Sequence, residues 1–307
     1  MIIISDRDLP LARRTVLTIG AFDGVHIGHA CLLGAMRTVS AEKGLRNCVW
    51  TFAENPKSLM NGGVKYITGS MDKMEALEQL GAESVYFADF ESYCALEPEE
   101  FVKKSLIGDF HADTVVCGFD FRFGANRSGD AELLRRTLKE YGVSCIIVPP
   151  VKVGDETVSS TLIRKKLAEG DIEGASFLLG RRYSFLLPVI HGRRLGRTIG
   201  FPTINQRFPD YQAVPAYGVY ACLCRVDGKT YRGISNIGVR PTVSVHEDAP
   251  LCETHIFSFS DDLYDKEARI YLCKRIRPEK RFSSLSELKA QVEEDKQAVL
   301  KYFENLL

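Results

Sequence analysis

A chain of 307 residues is long enough for two domains, each of which can bury its own hydrophobic core. Its 40 lysines and arginines equal its 40 aspartates and glutamates, which argues against a nucleic-acid partner because such binders carry a basic excess. The apolar run at the N-terminus is too short for a secretory signal, and no apolar stretch reaches the roughly 20 residues of a membrane helix. The nine cysteines lack CxxC spacing, so we expect reduced core cysteines, a cytoplasmic protein and no membrane partner.

The first half of the chain alternates short apolar segments with charged amphipathic ones. Its β-branched and aromatic runs predict strands at Thr15–Ile19, Cys48–Phe52, Ser84–Phe87, Thr114–Cys117 and Cys145–Val148. The segments between them predict helices at Ala30–Lys43, Met71–Leu80, Pro98–Leu106 and Ala131–Tyr141. This order predicts an α/β Rossmann-like domain, a parallel sheet covered on both faces with ligands at the carboxyl ends of its strands.

A glycine-rich loop with two histidines follows the first of these strands, Gly20-Ala-Phe-Asp-Gly-Val-His-Ile-Gly-His29. Gly20, Gly24 and Gly28 let the backbone approach a phosphate, and a helix starting near His29 would add N–H groups and a favourable dipole. His26 and His29 can donate hydrogen bonds to a triphosphate while charge moves onto the leaving pyrophosphate. The alternatives are two unrelated loop histidines or a zinc pair, for which no third ligand is suggested nearby.

Three strings in this half resemble one family. His-Ile-Gly-His resembles the motif of nucleotidyltransferases, which include class I aminoacyl-tRNA synthetases, and GAFDGVHIGH resembles their FAD synthetase branch. The strings from Gly118 to Asp130 and from Val158 to Arg164 fit the same branch. Alone, Ser-Ser-Thr before a helix would be an ordinary N-cap. The resemblance implies flavin or adenine contacts from Asp120, Phe121, Arg122 and Phe123, and ATP contacts from Phe22, Ser159, Ser160, Thr161 and Arg164.

One segment departs from that family. Members usually carry Phe-x-Pro-His-Pro after the second strand, whereas this chain reads Phe52-Ala-Glu-Asn-Pro56. Glu54 and Asn55 therefore stand where the first proline and the histidine are expected. An asparagine amide can still hydrogen-bond where histidine would, so Asn55 is our candidate flavin contact there.

The second half has a different rhythm. Short strand-like runs separated by turn residues predict an antiparallel sheet or small β-barrel, with one amphipathic helix at Ser286–Phe303. The boundary is expected near residues 181–184, which gives domains 1–182 and 183–307. The predicted strands are Phe185–His191, Val219–Arg225, Tyr231–Ile234, Thr254–Phe259 and Arg269–Cys273.

A second glycine-rich motif opens this half, Gly192-Arg-Arg-Leu-Gly-Arg-Thr-Ile-Gly-Phe-Pro-Thr-Ile-Asn205. Gly196 and Gly200 continue its glycine spacing, while a proline and three arginines favour a loop over a helix. Thr203 and Asn205 are two residues apart, so an extended segment places them on one face. A hydroxyl and an amide oxygen suit Mg²⁺ that carries ATP phosphates. An ordinary glycine-rich hairpin with a polar exit is the alternative.

This motif and two later ones resemble riboflavin kinases. The later ones run from Ser235 to Thr242 and from Cys252 to Phe257. The resemblance implies that Glu253 is the base acting on the ribityl hydroxyl, a role that suits a carboxylate beside an alcohol. It implies ATP contacts from Gly192, Gly196, Gly200 and Asn236, and flavin contacts from Arg277, Phe282 and Gln291. Members usually carry Asp at Ser258 and Gly at Asp265, and a turn that needs positive φ tolerates Asp less well than Gly.

Together the motifs identify the chain as resembling the bifunctional riboflavin kinase/FAD synthetase family. The resemblance implies a nucleotidyltransferase domain that makes FAD from FMN, then a barrel domain with a C-terminal helix that makes FMN from riboflavin. It implies ATP as co-substrate, Mg²⁺ as cofactor, and riboflavin, FMN and FAD as substrates and products of a monomer or weak homo-oligomer. The alternatives are a tRNA synthetase, a protein in which one activity has decayed, and a non-enzymatic flavin-binding regulator.

Overall fold

The computed structural model describes residues 1–53, 63–192, 200–239 and 249–305. The chain divides into two compact units. The first comprises Met1–Val64 and Ser70–Ser160, and the second comprises Lys65–Gly69 and Thr161–Leu307. Among the described residues, no helix has the length and apolar character needed to cross a membrane.

A parallel sheet forms the centre of the first unit. The strands of this unit, in chain order, are β1 (Ile2–Ile4), β2 (Thr15–Ile19), β3 (Arg46–Phe52), β4 (Ser84–Ala88), β5 (Ala112–Gly118), β6 (Arg122–Phe123), β7 (Gly129–Asp130), β8 (Ser144–Val148), β9 (Lys152–Val153) and β10 (Glu156–Thr157). Six of them make one sheet in the order β1-β4-β3-β2-β5-β8, and every neighbouring pair is parallel. The connections reverse direction between β2 and β5, which is where ligands bind in open α/β sheets.

Helices cover both faces of this sheet. They are α1 (Ile27–Lys43), α2 (Ser70–Gln79), α3 (Phe90–Cys94), α4 (Pro98–Phe101) and α5 (Ala131–Glu140), with a π-helical segment at Val102–Asp109. Because strand side chains alternate between faces, Val16 packs with α1 and α2, whereas Leu17 packs with α5 and the π-helical segment. The five predicted strands and the α/β class are confirmed.

Three local expectations for this unit need correction. Helix α1 begins at Ile27 with His26 as its N-cap, two residues before the predicted start near His29. The predicted helix Pro98–Leu106 is α-helical for one turn and then continues as the π-helical segment. Strand β1 was not predicted because three apolar residues at a chain end carry no detectable period.

Six antiparallel strands form the sheet of the second unit. They are β11 (Ser184–Pro188), β12 (Ile204–Arg207), β13 (Gly218–Val226), β14 (Lys229–Gly238), β15 (Leu251–Ile256) and β16 (Glu267–Pro278). Their order is β11-β16-β13-β14-β15-β12. An isolated bridge between Ile190 and Asn205, with a 2.8 Å N–H···O bond, brings the two edges of the sheet together. This bridge nearly closes the sheet into a barrel and confirms the predicted class.

One long helix covers part of the outer face of this barrel. The helices here are α6 (Ser160–Glu169), whose first residue belongs to the first unit, α7 (Ile172–Leu179) and α8 (Leu285–Glu304). Val299 and Phe303 of α8 pack against Val219 and Ala221 of β13. The segment that forms β12 was expected only as extended chain. Each of the five strands predicted for this unit lies within or overlaps an observed strand.

The cysteines are mainly buried thiols, as the sequence indicated. All nine are free, and Cys222, Cys224 and Cys252 are fully or almost fully buried in the second unit. Burial raises the pKa of the Cys252 thiol to about 11, so it stays protonated at neutral pH. Cys31 and Cys94 are exposed, against the expectation that these residues lie in the core.

Candidate active sites

The glycine-rich loop leaves the carboxyl end of β2 and enters α1 through a reciprocal pair of histidines. His29 donates its backbone N–H to His26 Nδ1, and His26 donates its own to His29 Nδ1, both at 3.3 Å. The two rings stack with centroids 3.7 Å apart. An Nδ1 atom that accepts a hydrogen bond carries no proton, so each neutral ring holds its proton on Nε2. The pair therefore presents two Nε2–H donors at the N-terminus of a 17-residue helix.

The loop between strand and helix has an unusual backbone. Phe22 and Val25 have φ values of 48° and 43°, and Gly24 has 82°. Non-glycine residues at positive φ cost of the order of 1 kcal/mol or more each, so the surrounding contacts must hold the loop in place. Phe22 is fully buried, with its ring centroid 4.9 Å from that of His29. A Cβ on Gly28 would lie 3.0 Å from the His26 ring, so a larger residue there would disturb the pair.

Ser160, predicted to contact ATP phosphates, is hydrogen-bonded to this loop. Its hydroxyl donates to the carbonyl oxygen of Asp23 at 2.9 Å. Ser160 is the first residue of α6, with Ser159 just before it and Thr161 in the first turn. Arg164 lies one turn further, with Nη2 3.5 Å from Thr161 Oγ1. The structure therefore connects Ser160, the last residue of the first unit, to the glycine-rich loop by one hydrogen bond.

Four of the five predicted flavin residues of the first unit follow β5, the strand next to β2. Phe121 and Phe123 stack with ring centroids 5.5 Å apart, and Phe123 belongs to the buried core. Arg122 is exposed and lies 3.5 Å from Asp130, while Asp120 Oδ1 packs against the backbone of Gly118. The segment thus occupies the predicted ligand edge of the sheet, at the point where the strand order reverses.

A buried lysine at this edge was not predicted from the sequence. Lys73 of α2 is 1% exposed, and its Nζ donates to the carbonyl oxygens of Ala21 at 3.0 Å and Phe52 at 2.9 Å. Ala21 lies in the glycine-rich loop and Phe52 is the last residue of β3. Lysine on an amphipathic helix is ordinarily exposed, so periodicity gave no signal for it.

In the second unit, strand register brings the predicted kinase residues into one row. Asn205 on β12 is paired with Glu253 on β15, and Glu253 is paired with Asn236 on β14. The row continues through Val219 on β13 to Arg277 on β16. Directly paired residues point to the same face with Cβ atoms about 5 Å apart. Since Val219 packs against α8, the row lies on the outer face of the barrel.

The predicted metal ligands stand at one end of this row. Asn205 is 5% exposed, and a Cβ on Gly192 would lie 2.4 Å from its Nδ2 atom, so only glycine allows this approach. Thr203 precedes β12 by one residue. Among the described residues, no group of three or more His, Cys, Asp or Glu side chains could hold a metal. Thr203 and Asn205 would offer a cation neutral oxygens, and substrate phosphates would supply further ligands, as is common for Mg²⁺ held with nucleotides.

The predicted flavin residues meet at the other end of the row. Arg277 donates from Nε to Asp295 Oδ1 and from Nη2 to Oδ2, both at 2.8 Å. Asp295 on α8 is almost fully buried, and Gln291 donates to it at 3.3 Å. The guanidinium carbon of Arg277 lies 5.7 Å from the centre of the Phe282 ring. Asp295 therefore fixes the orientation of Arg277.

Comparison with known proteins finds one family for each half of the chain. Residues 9–162 match the FAD synthetase family and residues 179–303 match the riboflavin kinase family. A Bacillus subtilis bifunctional riboflavin kinase/FMN adenylyltransferase is 37% identical over 95% of this chain and 94% of its own. The chain belongs to this bifunctional family. An Escherichia coli (strain K12) member with the same name is 36% identical, covering 94% of this chain and 92% of its own. A crystal structure titled as a macrolide-efflux protein from Streptococcus pneumoniae has a TM-score of 0.87 and 30% identity, covering 97% and 99% of the two chains.

Several family positions can now be compared with the structure. Ser258 and Asp265 have φ values of 55° and 63°, which explains why a glycine is usual at the second position. Neither residue is in the cross-strand row. Glu54, Asn55, Gly196 and His246 lie outside the described residues, while Gly200 is described and has φ of 85°.

Three further described histidines are not among the predicted site residues. His191 stacks on Tyr264 with ring centroids 3.9 Å apart, and His111 has a positive φ of 45°. His255 lies two residues after Glu253 on β15, and its Nδ1 is 2.7 Å from the carbonyl oxygen of Pro202. This contact holds the segment just before Thr203, so His255 has a structural role close to the proposed metal ligands.

The buried lysine predicts a specific pH dependence of stability. Burial lowers the pKa of Lys73 from 10.5 to about 8, and the charge of Asp23 opposes this shift. Below pH 8 the lysine is charged in both states. Between pH 8 and 10.5 only the unfolded chain binds its proton, so raising the pH favours the folded state, by roughly 3 kcal/mol in total.

We therefore expect the free energy of unfolding of the wild type, relative to that of Lys73→Met, to increase between pH 7.5 and 9.5. Denaturant unfolding followed by the fluorescence of Trp50, the one tryptophan of the chain, reports on the first unit. Parallel pH curves for the two proteins would contradict this prediction.

Proposed function

We propose that this chain phosphorylates riboflavin to FMN in the domain of residues 183–307 and adenylylates FMN to FAD in the domain of residues 1–182. The observation that carries the proposal is the cross-strand row, which places the carboxylate of Glu253 between the amides of Asn205 and Asn236. Membership of the bifunctional family supports both halves. The proposed division falls between residues 182 and 183.

The kinase step needs a base and an anchored γ-phosphate. Glu253 would accept the proton of the ribityl hydroxyl while the hydroxyl oxygen bonds to the γ-phosphorus of ATP and ADP departs. Asn236 and the glycines of the loop before β12 would contact ATP. Arg277, Phe282 and Gln291 would line the flavin end of the row, where Asp295 restrains the guanidinium.

The adenylyl step needs an anion site for a triphosphate. A phosphate oxygen of FMN would bond to the α-phosphorus of ATP, and pyrophosphate would leave. The Nε2–H groups of His26 and His29 would donate to the phosphates as negative charge shifts to the leaving group. Phe22 and the loop glycines shape this site, with Ser159, Ser160, Thr161 and Arg164 as further phosphate contacts. Asp120, Phe121, Arg122, Phe123 and Asn55 are proposed to contact flavin or adenine.

Mg²⁺ is the proposed cofactor of both steps, and Thr203 and Asn205 are its proposed protein ligands in the kinase step. The tight packing of Asn205 on Gly192 fits this assignment because it fixes an amide beside the proposed ATP loop. A bound Mg²⁺ would offset the negative charge of the ATP phosphates. The nine free thiols support a cytoplasmic setting, and we expect a monomer or weak homo-oligomer.

Chromatography of the reaction products tests the proposal. Purified protein with riboflavin, ATP and Mg²⁺ should form FMN and then FAD, and with FMN it should form FAD directly. Excess chelator should suppress both reactions by at least about tenfold. If FAD forms only from supplied FMN, the kinase half is inactive. If only FMN forms, the adenylyl half is inactive. Formation of no product in either reaction would overturn the proposed function.

A further inference from the structure

Lys73 presents an unusual arrangement for a lysine in a folded core. Its Nζ lies at the carboxyl ends of two neighbouring strands, where it donates to the carbonyl oxygens of Ala21, two residues after β2, and of Phe52, the last residue of β3. Asp23, itself 3% exposed, lies in the glycine-rich loop and supplies the charge that acts on it. Placing an ammonium in such a site costs free energy unless it is paired and hydrogen-bonded.

The contacts of Lys73 converge on the loop of the proposed adenylyl site. The carbonyl oxygen of Ala21 accepts from Lys73 and also from the Thr51 hydroxyl at 3.2 Å. Ala21 directly precedes Phe22, which has a positive φ, and the loop then runs to the histidine pair. The hydrogen bond from Lys73 therefore restrains the start of the strained loop, and the hydrogen bond from Ser160 to Asp23 restrains its middle.

Stabilisation of the fold alone accounts poorly for a charged group here. Methionine has similar length and would fill the volume without the cost of burying a charge. Replacement of buried ionic groups by apolar residues of similar volume is often neutral or stabilising. A lysine beside the proposed phosphate-binding loop would supply positive charge and keep the loop in a fixed geometry when a triphosphate binds.

We propose that Lys73 is a positioning residue for adenylyl transfer. Its ammonium holds the Gly20–Gly24 backbone in the shape that aims the histidine pair, and it places a positive charge behind the loop that receives the triphosphate. This inference rests on the proposed function of the first unit.

The test compares Lys73→Met with Lys103→Met, which removes an exposed lysine of the same unit. For Lys73→Met, kcat for FAD formation from FMN and ATP should fall about 10- to 100-fold. Lys73→Met leaves the buried Asp23 carboxylate without the charge of the ammonium, so its unfolding midpoint at pH 7, read from Trp50 fluorescence, should fall, and kcat is compared at a temperature at which both proteins are folded. FMN formation by the second unit of the same protein should remain within about twofold. Lys103→Met should match the wild type in all three measurements.

Two outcomes would overturn the proposal. One is a Lys73→Met protein that forms FAD within about twofold of the wild-type rate. The other is a loss of FAD formation that equals the fraction of Lys73→Met unfolded at the assay temperature, since that is the behaviour of a residue needed only for folding. Failure of the proposed function is distinguishable, because the wild type itself would then form no FAD from FMN.

Discussion

Glu253→Gln is expected to lower the rate of FMN formation from riboflavin by about 1,000-fold, within the range that general-base catalysis contributes. Glutamine keeps the size of the side chain and its place in the row between Asn205 and Asn236. Its amide cannot accept the proton of the ribityl hydroxyl, so the hydroxyl would remain a poor nucleophile. Initial rates of FMN formation, measured by chromatography with saturating ATP and Mg²⁺, check the result.

The same protein contains the control for this variant. FAD formation from added FMN should stay within about twofold, because the first unit is separate from the row. Glu267→Gln, which changes an exposed carboxylate at the start of β16, should leave both reactions unchanged. Normal FMN formation by Glu253→Gln would show that another group takes the proton.

The features that could be predicted from the sequence are the local ones. The loop from Gly20 to His29 is contiguous, so its glycines and histidines reveal a phosphate site before any packing is known. The strands between helices have clear composition and length, and they fixed the α/β class. The reciprocal cap could not be predicted, because it depends on the loop backbone turning each Nδ1 toward the other residue's N–H.

The features that escaped prediction depend on register and tertiary packing. Asn205, Asn236, Glu253 and Arg277 span more than 70 positions of sequence, and only the pairing of four strands and an intervening fifth brings them into one row. Lys73 escaped for a related reason. Its helix reads as an ordinary surface helix, and its importance comes from two carbonyl oxygens that lie 21 and 52 positions away.

His29→Ala is expected to lower FAD formation from FMN by about 100- to 1,000-fold, the effect of removing one donor to a developing negative charge. The alanine also removes the Nδ1 acceptor that satisfies the backbone N–H of His26, so this variant alone confuses two effects. Two further substitutions separate them. Asparagine can place an amide oxygen near the position of Nδ1, and glutamine can place an amide N–H near the position of Nε2.

If the Nε2–H donor carries the effect, His29→Asn should be as impaired as His29→Ala, while His29→Gln should recover about tenfold of the lost kcat. If the loss of activity instead comes from losing the Nδ1 acceptor for the backbone N–H of His26, His29→Asn should recover activity and His29→Gln should not. FMN formation by the second unit should stay within about twofold in all three. Equal loss of both reactions would contradict two separate sites, because His29 lies in the first unit alone.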